Sequence, residues 1–149
     1  MLGELNEQQI EGVLKQQVIG RLGCHNKGVV YVVPLHYFYK DSVIYCHSAV
    51  GKKIEMMRRN PQVCFQVDDI RSVFRWKSVI VWGLFEEITD PDEKQQAMQG
   101  ITHRLMPLAK NPSNHASHGI TENENDIGTT IEPVVFKVVL NRKTGRFEE

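Results

Sequence analysis

Residues 45–53 have the sequence YCHSAVGKK, which carries the clearest structural signal in this chain. The stretch predicts a strand that turns on small residues and enters a helix over about residues 51–60, with Lys52 and Lys53 in its first turn. The first N–H groups of a helix lack intrahelical partners, and the helix dipole places partial positive charge there. Together with the Ser48 hydroxyl, these groups predict an anion site suited to a terminal phosphate. A surface turn followed by an amphipathic helix with solvated lysines explains the same residues, so spacing alone leaves both interpretations open.

The composition is that of a soluble globular protein, with 149 residues, 41% of them hydrophobic and 24% charged. This length predicts a single domain over residues 1–149 with a real core. Lys plus Arg and Asp plus Glu number 18 each, which argues against nucleic acid or an anionic membrane as a partner. No apolar run approaches the roughly 20 residues that span a bilayer. The N-terminus lacks the pattern of a signal peptide, so we expect a cytoplasmic protein.

Neither the cysteines nor the histidines predict a metal site. Cys24, Cys46 and Cys64 are odd in number and form no Cys-x-x-Cys pair, which argues against a disulfide framework or a zinc ribbon. We expect all three to pack as small hydrophobes. The one close histidine pair, His115 and His118, has no nearby cysteine or Glu-x-x-His partner.

Hydrophobic periodicity predicts three helices and six strands. Asn6 and Gln9 form a capping box before a helix over 7–17, and Asp90 and Pro91 begin another helix. Pro34 marks an edge strand or a bulge. Residues 107–130 are rich in Pro, Asn, Ser and Gly and predict a long loop of functional or mobile character. The predicted strands cover 18–25, 29–39, 42–46, 63–68, 73–88 and 134–140.

This order of elements predicts the fold class. Hairpin-linked strands that no regular crossover helix separates favour an antiparallel sheet closed into a small barrel. We therefore expect a mostly β protein with flanking helices and an antiparallel, six-stranded β-barrel.

Two further features bear on chemistry. His47 adjoins the predicted anion site and could hydrogen-bond a phosphate or a ligand ring, although a packed histidine at a strand end explains it equally well. Trp76 and Trp82 flank a β-branched segment, where aromatic residues commonly anchor a core or an interface. The chain has no Gly-x-Gly-x-x-Gly, Walker-type or Gly-x-Ser-x-Gly motif, which argues against Rossmann, P-loop and α/β-hydrolase proteins.

Six blocks in order carry a family resemblance that covers most of residues 10–146. They are IGRLG (19–23), VVPLHY (32–37), YCHSAVGKK (45–53), RRNPQVCF (58–65), SVIVWGLFEEI (78–88) and TGR (144–146). As an ordered set they resemble the pyridoxamine 5′-phosphate oxidase-like superfamily of FMN-binding split barrels, and within it the nitroimidazole-resistance flavoproteins.

This resemblance implies that FMN binds at the interface of a homodimer. The phosphate would be held by Ser48, Lys52 and Lys53, and the ring would follow the strand with Pro34, Leu35 and His36. His47 matches a histidine beside the flavin and is the candidate catalytic residue. The strand with Ser78, Val79 and Trp82 would also face the cofactor, and we expect Val79, Val81 and Trp82 to supply the dimer interface.

The implied activity is that of an FMN-dependent oxidoreductase that reduces a small organic acceptor such as a nitroaromatic. The acceptor and the electron donor stay unassigned. The C-terminal NRKTGRF (141–147) lacks the Arg-x-His segment of true pyridoxamine phosphate oxidases, which argues against vitamin B6 oxidation. Two alternatives stay open: a deazaflavin in place of FMN, and a non-catalytic flavin- or haem-binding module for storage or sensing.

Overall fold

The computed structural model describes residues 1–109 and 133–149. Within these ranges there are three α-helices, a short 3-10 turn at Met106–Leu108, and eight strands. The helices are α1 (Glu7–Gln16), α2 (Lys52–Arg59) and α3 (Pro91–Leu105). The strands are β1 (Leu2–Glu4), β2 (Ile19–Asn26), β3 (Val29–His36), β4 (Phe38–Lys40), β5 (Val43–Ser48), β6 (Gln62–Ser72), β7 (Arg75–Glu87) and β8 (Val134–Glu148).

The strands form one antiparallel sheet in the order β3-β2-β6-β7-β8-β5-β4, and β1 pairs with the end of β8. The two outermost strands, β3 and β4, are consecutive in the chain, so a single segment through Tyr37 connects the two edge strands of the barrel. Tyr37 is only 1% exposed, and its hydroxyl donates a 2.7 Å hydrogen bond to the carbonyl of Leu14 in α1. The predicted class of an antiparallel β-barrel with flanking helices is confirmed.

The predicted number of six strands is wrong, because the described residues form eight. The predicted strand 29–39 is interrupted at Tyr37, where the chain passes from pairing with β2 to pairing with β5. β1 is only three residues long and has no apolar pattern of its own. The last strand extends to Glu148 because its polar second half pairs with both β7 and β1.

The predicted capping box of α1, the turn before β3 and the start of α3 are confirmed. Asn6 and Gln9 cap α1 reciprocally, with side chain to backbone distances of 2.8 and 2.9 Å. Lys27 and Gly28 have φ of 50° and 79°, the left-handed values that a tight β-hairpin turn requires. The Asp90 side chain caps α3. Of the predicted loop 107–130, the first residues belong to the 3-10 turn, and the remainder from residue 110 lies outside the described residues.

Strand β7 alternates between the barrel interior and its outside. Val79 and Val81 are fully buried, whereas Ile80 and Leu84 are 38% and 44% exposed. The prediction that Val79 and Val81 supply a dimer interface is therefore wrong, because both side chains pack in the core with Phe65 and Phe136.

The second half of β8 is tied to the barrel through Lys143. Its Nζ lies 2.7 Å from Glu11 Oε1, 2.7 Å from Ser42 Oγ and 3.1 Å from the Tyr39 hydroxyl. Burial raises the pKa of Glu11, but the hydrogen bonds from Lys143 and Tyr39 outweigh burial and lower this pKa overall. The Glu11 carboxylate is therefore stabilised in its charged form by folding.

This lowered pKa predicts a pH dependence of stability. The contribution of Glu11 is fully present above its unfolded pKa near 4.5 and is lost as the pH falls through its lower folded value. We expect Glu11→Gln to reduce the free energy of unfolding by about 1 kcal/mol at neutral pH, since the pair is partly exposed. Below the folded pKa, wild type and variant should converge.

Urea unfolding of both proteins at neutral pH and at about pH 3 measures this difference. Glu4→Gln, at an exposed carboxylate on β1, is the control and should change little at either pH. A difference between wild type and Glu11→Gln that is equal at the two pH values would contradict the prediction.

Within residues 1–109 and 133–149, no helix is long and apolar enough to cross a membrane. Over the same ranges, no group of three or more His, Cys, Asp or Glu residues is arranged to hold a metal ion. The His115 and His118 pair lies outside the described residues.

Candidate functional site

The predicted strand–turn–helix motif is confirmed, with β5 ending at Ser48 and α2 beginning at Lys52. Gly51 is the N-cap of α2 and offers no side-chain hydrogen bond to the first turn. A Cβ added at Gly51 would meet nothing within 4 Å, so the space at this helix start is open. The Ser48 hydroxyl donates to the neighbouring Ala49 carbonyl at 2.9 Å. The start of α2 therefore presents uncapped N–H groups to open space, which is the arrangement that an anion needs.

Two lysine ammonium groups accompany these N–H groups. The Nζ of Lys52, an exposed residue, lies 4.9 Å from the centre of the Tyr31 ring on β3, within the range of a cation–π contact. Lys53 is half-buried, and its charge opposes the rise that burial causes in the pKa of Cys46 on β5 and Cys24 on β2. The start of α2 thus lies near β2 and β3 from one end of the sheet and near β5 from the other end.

The cysteines differ from one another. Cys24 and Cys46 are buried in the core, and burial raises the pKa of both thiols, so they stay protonated at neutral pH. Their predicted role as small hydrophobes is confirmed. Cys64 is only half-buried and lies opposite Gly23 on the outside of the barrel, so the prediction of core packing is wrong for this residue.

β3 is an edge strand, as Pro34 predicted. Pro34 is exposed and pairs with Arg21 across the β2–β3 ladder, and His36 lies on the same side of the strand. Leu35 points the other way and packs against the core. The predicted ring-binding strand therefore offers the side chains of Pro34 and His36 to the outside, and Leu35 serves the barrel interior.

Pro34 and His36 belong to a broad external surface, which we call the outer face. It crosses β3, β2, β6 and β7 in register, with rows such as Val32, Gly23, Cys64 and Trp82. Trp82 is half-buried, and the Arg142 guanidinium lies 5.0 Å from its ring. The large apolar side chains of this face are exposed, at Ile19 (46%), Val30 (73%), Val32 (61%), Ile80 (38%) and Leu84 (44%). These exposed apolar side chains surround the smaller residues Gly23 and Cys64. Together they form an apolar surface of the kind that contacts another molecule.

Ser78 lies on the outer face within a polar row that the sequence did not reveal. Gln66 Nε2 is 3.0 Å from Ser78 Oγ and 3.0 Å from Asp68 Oδ2, and Arg21 Nη1 is 3.2 Å from Asp68 Oδ1. Arg21 and Asp68 are 47 residues apart, so only the strand register brings them together. Alternating polar residues at 64–68 are the one signal that could have indicated them. Val79, the next residue, is fully buried, so its side chain cannot reach a ligand on this face.

His47 lies on a different surface from Ser48. It is only 6% exposed and stands directly opposite Val135 in the β5–β8 ladder. Directly opposite residues share a face of the sheet, and Val135 packs with Ile88 and with Ala97 of α3. Because successive strand residues alternate, the His47 side chain belongs to the surface that α3 covers. Its catalytic role stays a prediction, and its burial favours packing.

A cavity of about 630 Å³ lies between α3 and the β4–β5 hairpin, in the size range of small-molecule sites. The rings of Phe38 and Tyr45 stack at 5.9 Å and line it. Gly100 allows this arrangement, since a Cβ there would come within 2.5 Å of the Phe38 ring. Its charged lining includes Lys40 and the carboxylates of Asp41 and Glu93, so the cavity suits an uncharged aromatic molecule better than an anion.

Comparisons with known proteins agree with this architecture. The crystal structure of an FAD-binding protein from Mesorhizobium loti superposes with a TM-score of 0.78 at 30% identity and covers 100% of this chain and 99% of its own. A candidate 5-nitroimidazole antibiotic resistance protein from Bacteroides thetaiotaomicron gives a TM-score of 0.75 at 25% identity, with coverage of 99% and 87%.

Sequence comparison identifies the family. An uncharacterized protein of Rhizobium meliloti is 30% identical over 146 residues, which span 95% of this chain and 92% of that protein. The family model for pyridoxamine 5′-phosphate oxidase matches residues 6–146, nearly the whole chain. With its antiparallel barrel and a helix start open to anions, this chain belongs to the pyridoxamine 5′-phosphate oxidase family.

Proposed function

We propose that this protein binds FMN as a homodimer and passes electrons from the flavin to a small organic acceptor. The observation that carries the proposal is the open, uncapped start of α2, where Lys52 and Lys53 form the first turn of the helix. Charge-assisted hydrogen bonds from ammonium groups are the strong contacts that phosphate receives in proteins. The FAD-binding protein of Mesorhizobium loti, 30% identical to this chain, supports a flavin, and a single cationic helix start suits the one terminal phosphate of FMN.

The residues present fit this cofactor. Lys52, Lys53 and the first N–H groups of α2 would hold the phosphate, and Pro34 and His36 would support one side of the ring. Ser78 would contact the polar edge of the ring. When bound, the flavin supplies the redox chemistry, and the chain supplies binding, orientation and control of access.

The absorption spectrum of the purified protein, followed by titration with FMN, FAD, riboflavin and haem, tests the cofactor assignment. We expect a flavin spectrum and a preference for FMN over riboflavin, which lacks the phosphate. Stronger binding of FAD than FMN would overturn the choice of FMN alone. A haem Soret band would favour the binding-module alternative, and a colourless protein that rejects every flavin would overturn the proposal.

The proposed acceptor is an uncharged aromatic molecule such as a nitroaromatic. The likeness to the Bacteroides thetaiotaomicron protein supports this class. Stopped-flow re-oxidation of photoreduced protein by a nitroaromatic measures the activity. No re-oxidation would favour a storage or sensing module. The same assay on His47→Ala decides the role of this buried histidine, since equal rates would remove it from the chemistry.

The proposed dimer forms through the outer face. Large exposed apolar side chains on neighbouring strands favour burial against a second copy, because burying apolar area stabilises association. In place of Val79 and Val81, the residues that can make this contact are Val32, Ile80 and Leu84. A two-fold axis would bring the same face of each copy together.

We expect Val32→Glu combined with Ile80→Glu to convert the dimer into a monomer, because the charges would have to be buried in the contact. Light scattering should give the mass of two chains for wild type and of one chain for the variant. Leu108→Glu, at a residue that is 64% exposed outside this face, is the control and should stay dimeric. A wild-type monomer with flavin fully bound would contradict the shared-site proposal.

A further inference from the structure

Four polar side chains form a continuous hydrogen-bonded row across three strands of the outer face. Arg21 on β2 contacts Asp68 on β6, with Nη1 3.2 Å from Oδ1. The amide nitrogen of Gln66, also on β6, lies 3.0 Å from Asp68 Oδ2 and 3.0 Å from Ser78 Oγ on β7. In the β2–β6 register Arg21 lies opposite Gln66, and in the β6–β7 register Asp68 lies opposite Ser78. All four side chains therefore lie on the same face of the sheet.

The chemistry of these groups fixes the direction of each hydrogen bond. An ionised carboxylate only accepts hydrogen bonds, and the guanidinium of Arg21 only donates them. Gln66 must therefore turn its NH₂ group, not its carbonyl oxygen, toward Asp68. The second N–H of the same nitrogen then points at Ser78 Oγ, which has to accept it.

The hydroxyl proton of Ser78 is therefore not used in a hydrogen bond to the other three residues of the row. A hydroxyl can donate one hydrogen bond while it accepts others. Among the described residues, no protein acceptor receives the Ser78 proton. Ser78 is half-buried on the outer face, so its proton is directed away from Gln66.

We propose that Arg21, Asp68 and Gln66 are positioning residues that make Ser78 an obligate hydrogen-bond donor to the bound ligand. This inference rests on the proposed function, in which the ligand is the flavin and the acceptors are the carbonyl oxygens and unprotonated nitrogens of its ring. A fixed donor stabilises a ring more strongly when negative charge builds up on it. The row therefore raises the flavin reduction potential as well as strengthening binding.

Four variants separate this role from a merely structural one. Ser78→Ala removes the donor, whereas Ser78→Thr keeps a hydroxyl at the same place. In Gln66→Glu the new carboxylate can only accept, so the Ser78 proton turns inward although Ser78 itself is unchanged. Gln62→Glu introduces the same charge on the same side of β6, four residues from Gln66 and outside the row, and is the matched control.

FMN affinity by fluorescence titration and the flavin reduction potential are measured on each variant. We expect Ser78→Ala and Gln66→Glu to weaken FMN binding by about threefold to tenfold, the range for one lost hydrogen bond, and to lower the potential. Ser78→Thr and Gln62→Glu should stay close to wild type. Circular dichroism checks that all four variants keep the fold.

The outcomes are distinguishable. If wild type binds FMN but Ser78→Ala keeps its affinity and potential, the inference is overturned and the proposed function stands. Wild-type properties in Gln66→Glu would likewise overturn the positioning role. If Gln62→Glu lowers the potential as much as Gln66→Glu, then charge and not proton direction is the cause, and the inference fails. A wild-type protein that rejects flavin overturns the inference together with the proposed function.

Discussion

Replacing Gly83 with alanine is expected to prevent this chain from folding into a soluble barrel. A Cβ at Gly83 would overlap the carbonyl oxygen of Val139 and lie 2.8 Å from its carbonyl carbon. Both atoms belong to the backbone of β8, which pairs with β7 through a register shift between Trp82 and Gly83. They cannot move away without breaking the ladder, so we expect a loss of more than about 3 kcal/mol. That is a large share of the roughly 5–15 kcal/mol of a typical domain.

Soluble yield and thermal unfolding of Gly83→Ala measure this effect. Gly12→Ala is the control, because a Cβ at Gly12 in α1 would meet nothing within 4 Å. Alanine favours a helix interior over glycine by about 1 kcal/mol, so this variant should melt at the same or a higher temperature. A soluble Gly83→Ala protein with an unchanged melting temperature would show that β7 and β8 are not in such close contact.

The second large effect concerns the start of α2. Replacing both Lys52 and Lys53 with alanine should weaken FMN binding by at least about tenfold, since charge-assisted hydrogen bonds contribute about 1.5–3 kcal/mol. Riboflavin has no phosphate, so its affinity should stay unchanged. Fluorescence titration with both ligands, at low and high salt, measures the difference.

The control for this variant is at the other end of the same helix. Arg58→Ala combined with Arg59→Ala also removes two positive charges, but Arg58 pairs with Glu87 on the surface at 2.6 Å, and such pairs contribute little. FMN affinity should hold in this control. Equal affinities for FMN in wild type and the lysine variant would show that Lys52 and Lys53 are merely solvated.

Much of the fold could be predicted because its signals are local. The Asn6 and Gln9 capping box, the Lys27-Gly28 turn and the glycine before Lys52 each depend on neighbouring residues alone. The break at Tyr37 could not be predicted in this way, since the 29–39 segment is apolar or aromatic throughout except for His36. It arises where the strand changes partner from β2 to β5, which depends on pairing between strands that are distant in the sequence.

Some residues of the candidate site could likewise be predicted from local sequence, whereas the positions of others depend on strand pairing. The helix start with Lys52 and Lys53 follows from one short stretch, whereas the face on which a strand residue lies depends on the register. In the apolar run from Val79 to Trp82, either alternate set could have faced inward, and the structure buries Val79 and Val81. His47 and Ser48 are adjacent in sequence but belong to opposite faces of β5. The partners of Ser78, above all Gln66 and Asp68, depend entirely on the pairing of β6 with β7.

Pro34 on the edge strand β3 has a consequence for how copies of this chain can associate. An exposed strand edge is a template for adding further strands, which leads to open-ended aggregation. Proline has no backbone N–H, so the edge lacks one of the donors that an incoming strand would need. In the proposed dimer, association would thereby be directed from the edge of the sheet to its face, where a two-fold contact closes after two copies and does not propagate into a fibre.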